Sequence, residues 1–183
     1  TDAYTIEYKS GTLEVTKRAI TLTGGSASKV YAGTPLTAPK VTLTGTLAQG
    51  DDFDLTPQSL EQVTDVTGPQ GKENPVSKTF KIQTADGEDR TDCYEITYVS
   101  GRLVIIKAPA SENVVSIDSD TIVYDGKSHQ LDKATSKVAK GTTIYYRKQG
   151  SNEWTETMPS YTDAGTYPIE VKAENANYED SFA

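Results

Sequence analysis

The sequence predicts an all-β chain built of antiparallel β-sandwich modules in tandem, and three observations carry that expectation. Apolar and polar residues alternate in short runs, the period of a strand with one face buried. Gly, Pro, Ser and Asn break these runs about every 8 to 12 residues, as turns do in a sandwich. The stretch at 91–107, TDCYEITYVSGRLVIIK, also repeats the one at 1–17, TDAYTIEYKSGTLEVTK. The two copies share Thr1/Thr91, Asp2/Asp92, Tyr4/Tyr94, Ile6/Ile96, Tyr8/Tyr98, Ser10/Ser100, Gly11/Gly101, Leu13/Leu103 and Lys17/Lys107. A period of that size means consecutive modules.

In the first copy Tyr4, Ile6 and Tyr8 alternate with Thr5 and Glu7, and after Ser10-Gly11 the residues Leu13 and Val15 resume the pattern. Glycine can adopt the positive φ of a tight turn, so each copy is expected to be an antiparallel hairpin. A lone hairpin is marginal in water and needs further strands over its face. Residues 1–17 are therefore expected to be the closing hairpin of an upstream repeat. Residues 18–107 would form one full module of about seven strands, with β-rich runs at 20–23 and 41–44, a short helical flavour at 59–63, and a strand through Val76, Phe80 and Ile82. The Ala108-Pro109-Ala110-Ser111 stretch reads as a linker over 108–113.

A second module follows over 114–183. Its Val123-Tyr124-Asp125-Gly126 echoes Val30-Tyr31-Ala32-Gly33, its Thr162-Asp163-Ala164-Gly165 echoes Thr64-Asp65-Val66 with Gly68, and its Asn177-Tyr178-Glu179 echoes Cys93-Tyr94-Glu95. Strands are expected where Thr143, Tyr145 and Arg147 alternate with Ile144 and Tyr146, and again at Tyr167, Ile169 and Val171. By this alignment the second module lacks its closing hairpin, leaving an open strand edge. The spare hairpin at 1–17 is expected to complete such a module on a neighbouring molecule by strand addition.

Composition narrows the function. The chain of 183 residues carries 18 basic and 26 acidic residues, a net charge of -8, which repels phosphate backbones and argues against nucleic acid. Neither a run of about 18 apolar residues nor a signal-like amino terminus occurs, so no membrane insertion is expected of this piece of a longer protein. Cys93 is the only cysteine and stands where the other copy has Ala3, so a small, partly buried side chain is expected rather than a staple or a thiolate site. His129 is the only histidine, too little for a triad or a multi-histidine metal centre, and no catalytic residue is assigned.

The strings ITLTGGSASKVYAGTPLTAPKVTLTG and YEITYVSGRLVIIK, with the Thr64-Asp65-Val66 segment between them, resemble one repeat of the bacterial surface Ig-like modules of MBG or YDG type. VYDGKSHQL, GTTIYYRKQGSNEWTE and TDAGTYPIEVKAENANYED resemble a related bacterial Ig-like repeat. The resemblance covers nearly the whole chain and departs at Ala32, where the pattern has Asp. It implies Ig-like sandwiches in series within a large exported bacterial protein, an adhesin or similar stalk at the cell surface. The partners it implies are neighbouring repeats of the same chain, with a glycan or host glycoprotein as the alternative, or attachment to a secreted carbohydrate-active enzyme.

Two sets of residues are candidates for ligand chemistry. Trp154, Tyr145, Tyr146 and Tyr161 could stack on the apolar faces of sugar rings, or serve as packing anchors of a sandwich. Asp86, Glu88, Asp89 and Asp92 could supply oxygen ligands to calcium, or be solvated turn carboxylates; their spacing is not that of an EF-hand. A Lys-to-Asn or Lys-to-Asp isopeptide crosslink is a third candidate chemistry.

Overall fold

The computed structural model describes residues 3–183; Thr1 and Asp2, with their matches to Thr91 and Asp92, lie outside the described residues. Strands dominate, and among the described residues the only helical pieces are two 3-10 turns, at Thr91–Cys93 and Ala110–Glu112. Ten short strands precede the first of the later ones: β1 Arg18–Thr23, β2 Ala27–Val30, β3 Leu36–Thr37, β4 Thr42–Thr44, β5 Asp51–Phe53, β6 Gln62–Val63, β7 Lys72–Asn74, β8 Ile82–Thr84, β9 Tyr94–Val99 and β10 Gly101–Ile106. Five follow: β11 Val115–Ser116, β12 Thr135–Ser136, β13 Thr142–Lys148, β14 Ile169–Asn175 and β15 Tyr178–Phe182. They form several small sheets, so the chain is all-β as expected. The helical flavour at 59–63 is overridden: Ser59 bridges Val76 and Gln62–Val63 is a strand.

The chain forms two compact units. The first comprises residues through Gly25, Pro39–Leu60 and Pro75–Gly101. Its central strand is β1, antiparallel to β4 and parallel to β9, with Arg18 opposite Tyr94 and Thr23 opposite Val99. Alternation in β1 turns Ile20 and Leu22 inward, where they pack with Val76, Phe80, Ile82 and Tyr94. Phe53 and Phe80 meet edge to face at 5.3 Å. The buried Tyr94 hydroxyl donates to Asp51 Oδ2 at 2.6 Å and accepts from the Ala48 amide at 2.8 Å. Burial first, then the Asp51 carboxylate, pushes its pKa upward.

The second unit comprises Ser26–Ala38, Glu61–Asn74 and Arg102–Ala183. One of its sheets is ordered β2-β10-β7, with β10 parallel to β2 and Leu103 opposite Ala27. Leu103 and Ile105 are fully buried, while the chain's longest sheet, β13-β14-β15, is antiparallel throughout. Ile144, Tyr146, Val171 and Ala173 project from its inner face onto Val115, Ala134 and Met158.

Two sequence expectations change here. β9 and β10 were expected to be the arms of an antiparallel hairpin turning at Ser100-Gly101, yet they fall in different sheets and each runs parallel to an earlier strand. Gly101 does not take a positive φ. A side chain there would put its Cβ 2.0 Å from the Gly25 carbonyl oxygen and 2.4 Å from that of Gly24, so glycine serves close backbone approach rather than reversal. Parallel pairing needs a long crossover, and the residues between β1 and β9 supply it. The antiparallel expectation therefore fails for the β1/β9 and β2/β10 pairs.

Residues 108–113, expected as a linker, are held in place. Ala108 donates to the Asn177 carbonyl at 2.9 Å and accepts from the Glu179 amide at 2.8 Å. Asn113 is 1% exposed. The compact units also follow a different line from the sequence boundary at 108, because β2, β3, β6, β7 and β10 cluster with the later strands.

In the first copy of the repeat, residues 3–17 form no strand, and Tyr4, Ile6, Tyr8, Leu13 and Val15 are 70–91% exposed. The equivalent Tyr94, Leu103 and Ile105 are buried. Cys93 is exposed rather than partly buried, in a 3-10 turn before β9 that buries none of its residues.

Candidate functional site

The candidate stacking residues separate into three places. Strand alternation decides most of this, since β13 sends Tyr146 to the inner face and Tyr145 to the outer one. Tyr146 is 5% exposed and its hydroxyl accepts from the Ala134 amide at 3.2 Å, which makes it a core residue. Tyr161 lies on another segment, stacked on Tyr167 with centroids 3.9 Å apart and planes 11° from parallel. Its amide and carbonyl both bond to His129, and burial beside Tyr167 raises its pKa.

Tyr145 and Trp154 do come together, around one lysine. Lys172, opposite Tyr145 in the β13-β14 register, lies 5.0 Å from the Tyr145 ring centroid and 5.2 Å from that of Trp154. Arg147, one outward position along β13, stands 4.3 Å over the Trp154 ring. Two acids hold these cations in place: Glu170 accepts from Arg147 Nε at 2.5 Å, and Glu174 pairs with Lys172. Phe182 of β15 closes the cluster at 6.2 Å from Trp154. The outer face of this sheet is thus a half-buried band of rings and alternating charges, with cations already against the aromatic faces. Contacts of this kind are worth about 0.5–1 kcal/mol each at exposed sites, so they hold Trp154 down as well as decorate it.

The acidic candidates are not gathered into a ligand set. Asp89 pairs with Lys81 at 3.1 Å and accepts the Thr91 amide at 3.0 Å, while Glu88 pairs with Arg90 at 2.9 Å. The Thr91 backbone and side-chain bonds, with Lys81, lower the Asp89 pKa to about 2. Asp86 and Asp92 are exposed, and among the described residues no group of three His, Cys, Asp or Glu side chains could hold a metal ion. Glu88 and Asp89 are engaged by arginine, lysine and the turn's own amide.

His129 has one acid partner, Asp125, at 2.7 Å. The Lys127 amide and then His129 lower the Asp125 pKa, as a turn-capping carboxylate would show. An open depression in the second unit is lined by Lys133, Ala134, Thr142, Tyr146, Glu156 and Met158, with Glu156 its one carboxylate. No lysine is among the buried residues described, where an isopeptide bond would be sheltered.

The sequence reading missed the buried asparagines. Asn113 Oδ1 accepts from Ser136 Oγ at 2.6 Å and from the Val138 amide at 2.9 Å, and its Nδ2 donates to Thr142 Oγ1 at 3.2 Å. Asn175 Nδ2 reaches the same Thr142 hydroxyl at 2.9 Å and the Lys140 carbonyl at 3.2 Å. The half-buried Asn177 beside them accepts the Val66 amide at 2.9 Å and donates to Asp65 at 3.0 Å. The only sequence signal was the Asn175-Ala176-Asn177 triplet between two strand runs, which reads equally well as a plain turn.

Pairings recur at positions that the sequence aligns. Tyr94 stands parallel beside Arg18, and Tyr178 beside Ala108. Leu36 opposes Val63, and His129 opposes Tyr161, the same alignment positions. Gly33 and Gly126 turn the chain alike, at φ 66° and 78°, and a Cβ added at either would lie about 4 Å from the hydroxyl of Tyr31 or Tyr124 respectively. Among the described residues no helix is long and apolar enough to cross a membrane. Compared with family models, curated proteins and solved structures, the chain matches none.

Proposed function

We propose that this chain is a tandem of Ig-like β-sandwich repeats of the MBG or YDG type, serving as a non-catalytic stalk in a large exported bacterial surface protein. The recurrence of one pairing scheme carries the reading: Arg18/Tyr94 with Leu36/Val63 in one repeat, Ala108/Tyr178 with His129/Tyr161 in the next. A scheme used twice in one chain is the economy of a repeat array, in which each unit buries its core against itself and its neighbour. Fastening of Ala108 and Asn113 gives such an array short, ordered junctions. Its partners are neighbouring repeats, and its place is the extracellular bacterial surface. Small-angle scattering at dilution tests the stalk. A radius of gyration well above the about 16 Å of a compact chain this long is expected, and a value near it would sink the idea.

A second reading is favoured by one observation, the convergence of Tyr145, Trp154, Arg147 and Lys172 on an outward sheet face. Rings flanked by acids and bases suit a glycan or host glycoprotein, in an adhesin or as an accessory to a secreted carbohydrate-active enzyme. On a glycan array this reading expects binding that Trp154→Ala abolishes and Trp154→Phe partly keeps, with circular dichroism unchanged. Silence across the array removes it.

A further inference from the structure

β13 is an edge strand, paired with β14 along its whole length and bridged on its other side at one residue. There Tyr146 exchanges both backbone bonds with Thr155, at 2.7 and 3.0 Å. Alternate residues of an antiparallel strand turn their amides and carbonyls to opposite sides, so Ile144, two residues before Tyr146, faces the same outer edge. Continued in register, Thr157 would oppose Ile144, but the Thr155 hydroxyl takes up the Thr157 carbonyl at 3.0 Å and the segment turns inward to the buried Met158. Among the described residues no backbone group pairs with Ile144 on that side. Beside the gap the surface sinks into a depression of about 360 Å³. Its apolar part is Ala134, Tyr146 and Met158, three residues of the second unit's core, and its charges are Lys133 and Glu156. Both charges are exposed and, among the described residues, neither has an ion-pair partner.

We infer that this edge takes an extended peptide segment of another protein as an added antiparallel strand, with one apolar side chain of that segment in the depression. Directly opposed residues of two strands share a face, so the residue that pairs with Ile144 points its side chain to the face of Ile144 and Tyr146. That is the face on which the depression lies. A backbone donor and acceptor at strand spacing, next to one apolar hollow, are what strand addition uses, and neither a sugar nor a small apolar molecule offers an amide and a carbonyl in that register. Charge gives the segment a direction. Antiparallel to β13, it begins at the Thr155 end, where Glu156 stands, so a basic residue is complementary on its amino-terminal side, and Lys133 suits a carboxylate in the same segment. The whole site is built from residues 133–158 of one unit. It depends neither on the stalk nor on the ring face, since Tyr145 lies on the opposite side of the sheet.

A library of random heptapeptides displayed on phage, selected on the whole chain, is the probe. Enriched peptides are expected to share one aliphatic residue with a lysine or arginine before it. A synthetic copy of the most enriched one should slow exchange of the Ile144 amide at least tenfold by NMR, while Tyr145, which faces Lys172 of β14, stays within twofold. Glu156→Lys leaves the core untouched because that side chain is exposed and in neither cluster. It should weaken the original peptide at least fivefold, and selection on it should replace the basic residue by an acidic one. Met158→Trp, which fills the depression, should abolish binding. No enrichment, peptides that bind without protecting Ile144, or equal binding to Glu156→Lys would each overturn the inference. So would protection of Ile144 that rises with protein concentration in the absence of peptide, which would make a second copy of the chain the occupant.

Discussion

Asn113 shows how much a single amide can organise. It is buried, its oxygen takes two donors and its nitrogen a third partner, and its own carbonyl accepts from Ser181 Oγ at 2.7 Å. Removing a buried partner costs more than the bond itself contributes, because the Val138 amide would be left without its acceptor. Asn113→Ala is expected to lower stability by about 1–3 kcal/mol, read as a shift of the urea midpoint at unchanged slope. Asp89 makes a pH-dependent contribution instead. Its folded pKa, held at about 2 by Thr91 and Lys81, lies below the about 3.9 of an unfolded aspartate. A depressed carboxylate stabilises above its unfolded pKa and loses that contribution as pH falls through the folded one. The gap in melting temperature between the native protein and Asp89→Asn should therefore be constant above about pH 5 and shrink between about pH 4 and pH 2. A gap that persists at pH 2 would assign the difference to packing.

At the scale of elements, Gly11 and Gly101 occupy the same repeat position and mean different things. A Cβ on Gly101 would meet the Gly25 carbonyl at 2.0 Å, whereas one on Gly11 would meet nothing within 4 Å. Gly101→Ala should therefore cost at least about 1–3 kcal/mol through overpacking against backbone, while Gly11→Ala stays within about 0.5 kcal/mol, both measured by denaturant unfolding. The strands themselves were largely legible: the runs at 20–23 and 41–44 became β1 and β4, and the alternation around Tyr145 became β13. Their partners were not. Ser-Gly after an alternating run looks the same whether the chain reverses there or passes straight beside another backbone.

For the whole molecule, two apolar clusters carry the stability and residues 3–17 belong to neither. Leu22→Ala, at a fully buried position of the first unit, is expected to cost about 2–5 kcal/mol. Deleting residues 1–17 should leave the unfolding midpoint within about 0.5 kcal/mol of the parent at dilution, checked by the same titration. The candidate site was half legible. Tyr145 and Trp154 were named together and are together, but Tyr146 went to the core and Tyr161 to a separate stack, because neighbours along a strand face opposite ways.

Alternation, turn residues and the repeated stretch were enough to establish an all-β chain with an internal period, since these are local properties of a few residues at a time. Strand partners, the parallel sense of β9 and β10, and the outward ring cluster around Lys172 depend on contacts between residues far apart in the chain. Tyr4, Leu13 and Val15 of the first occurrence are exposed where Tyr94, Leu103 and Ile105 of the second are buried. What separates the two is the presence of β1 and β2 alongside the second, a fact of pairing that no property of the seventeen residues contains.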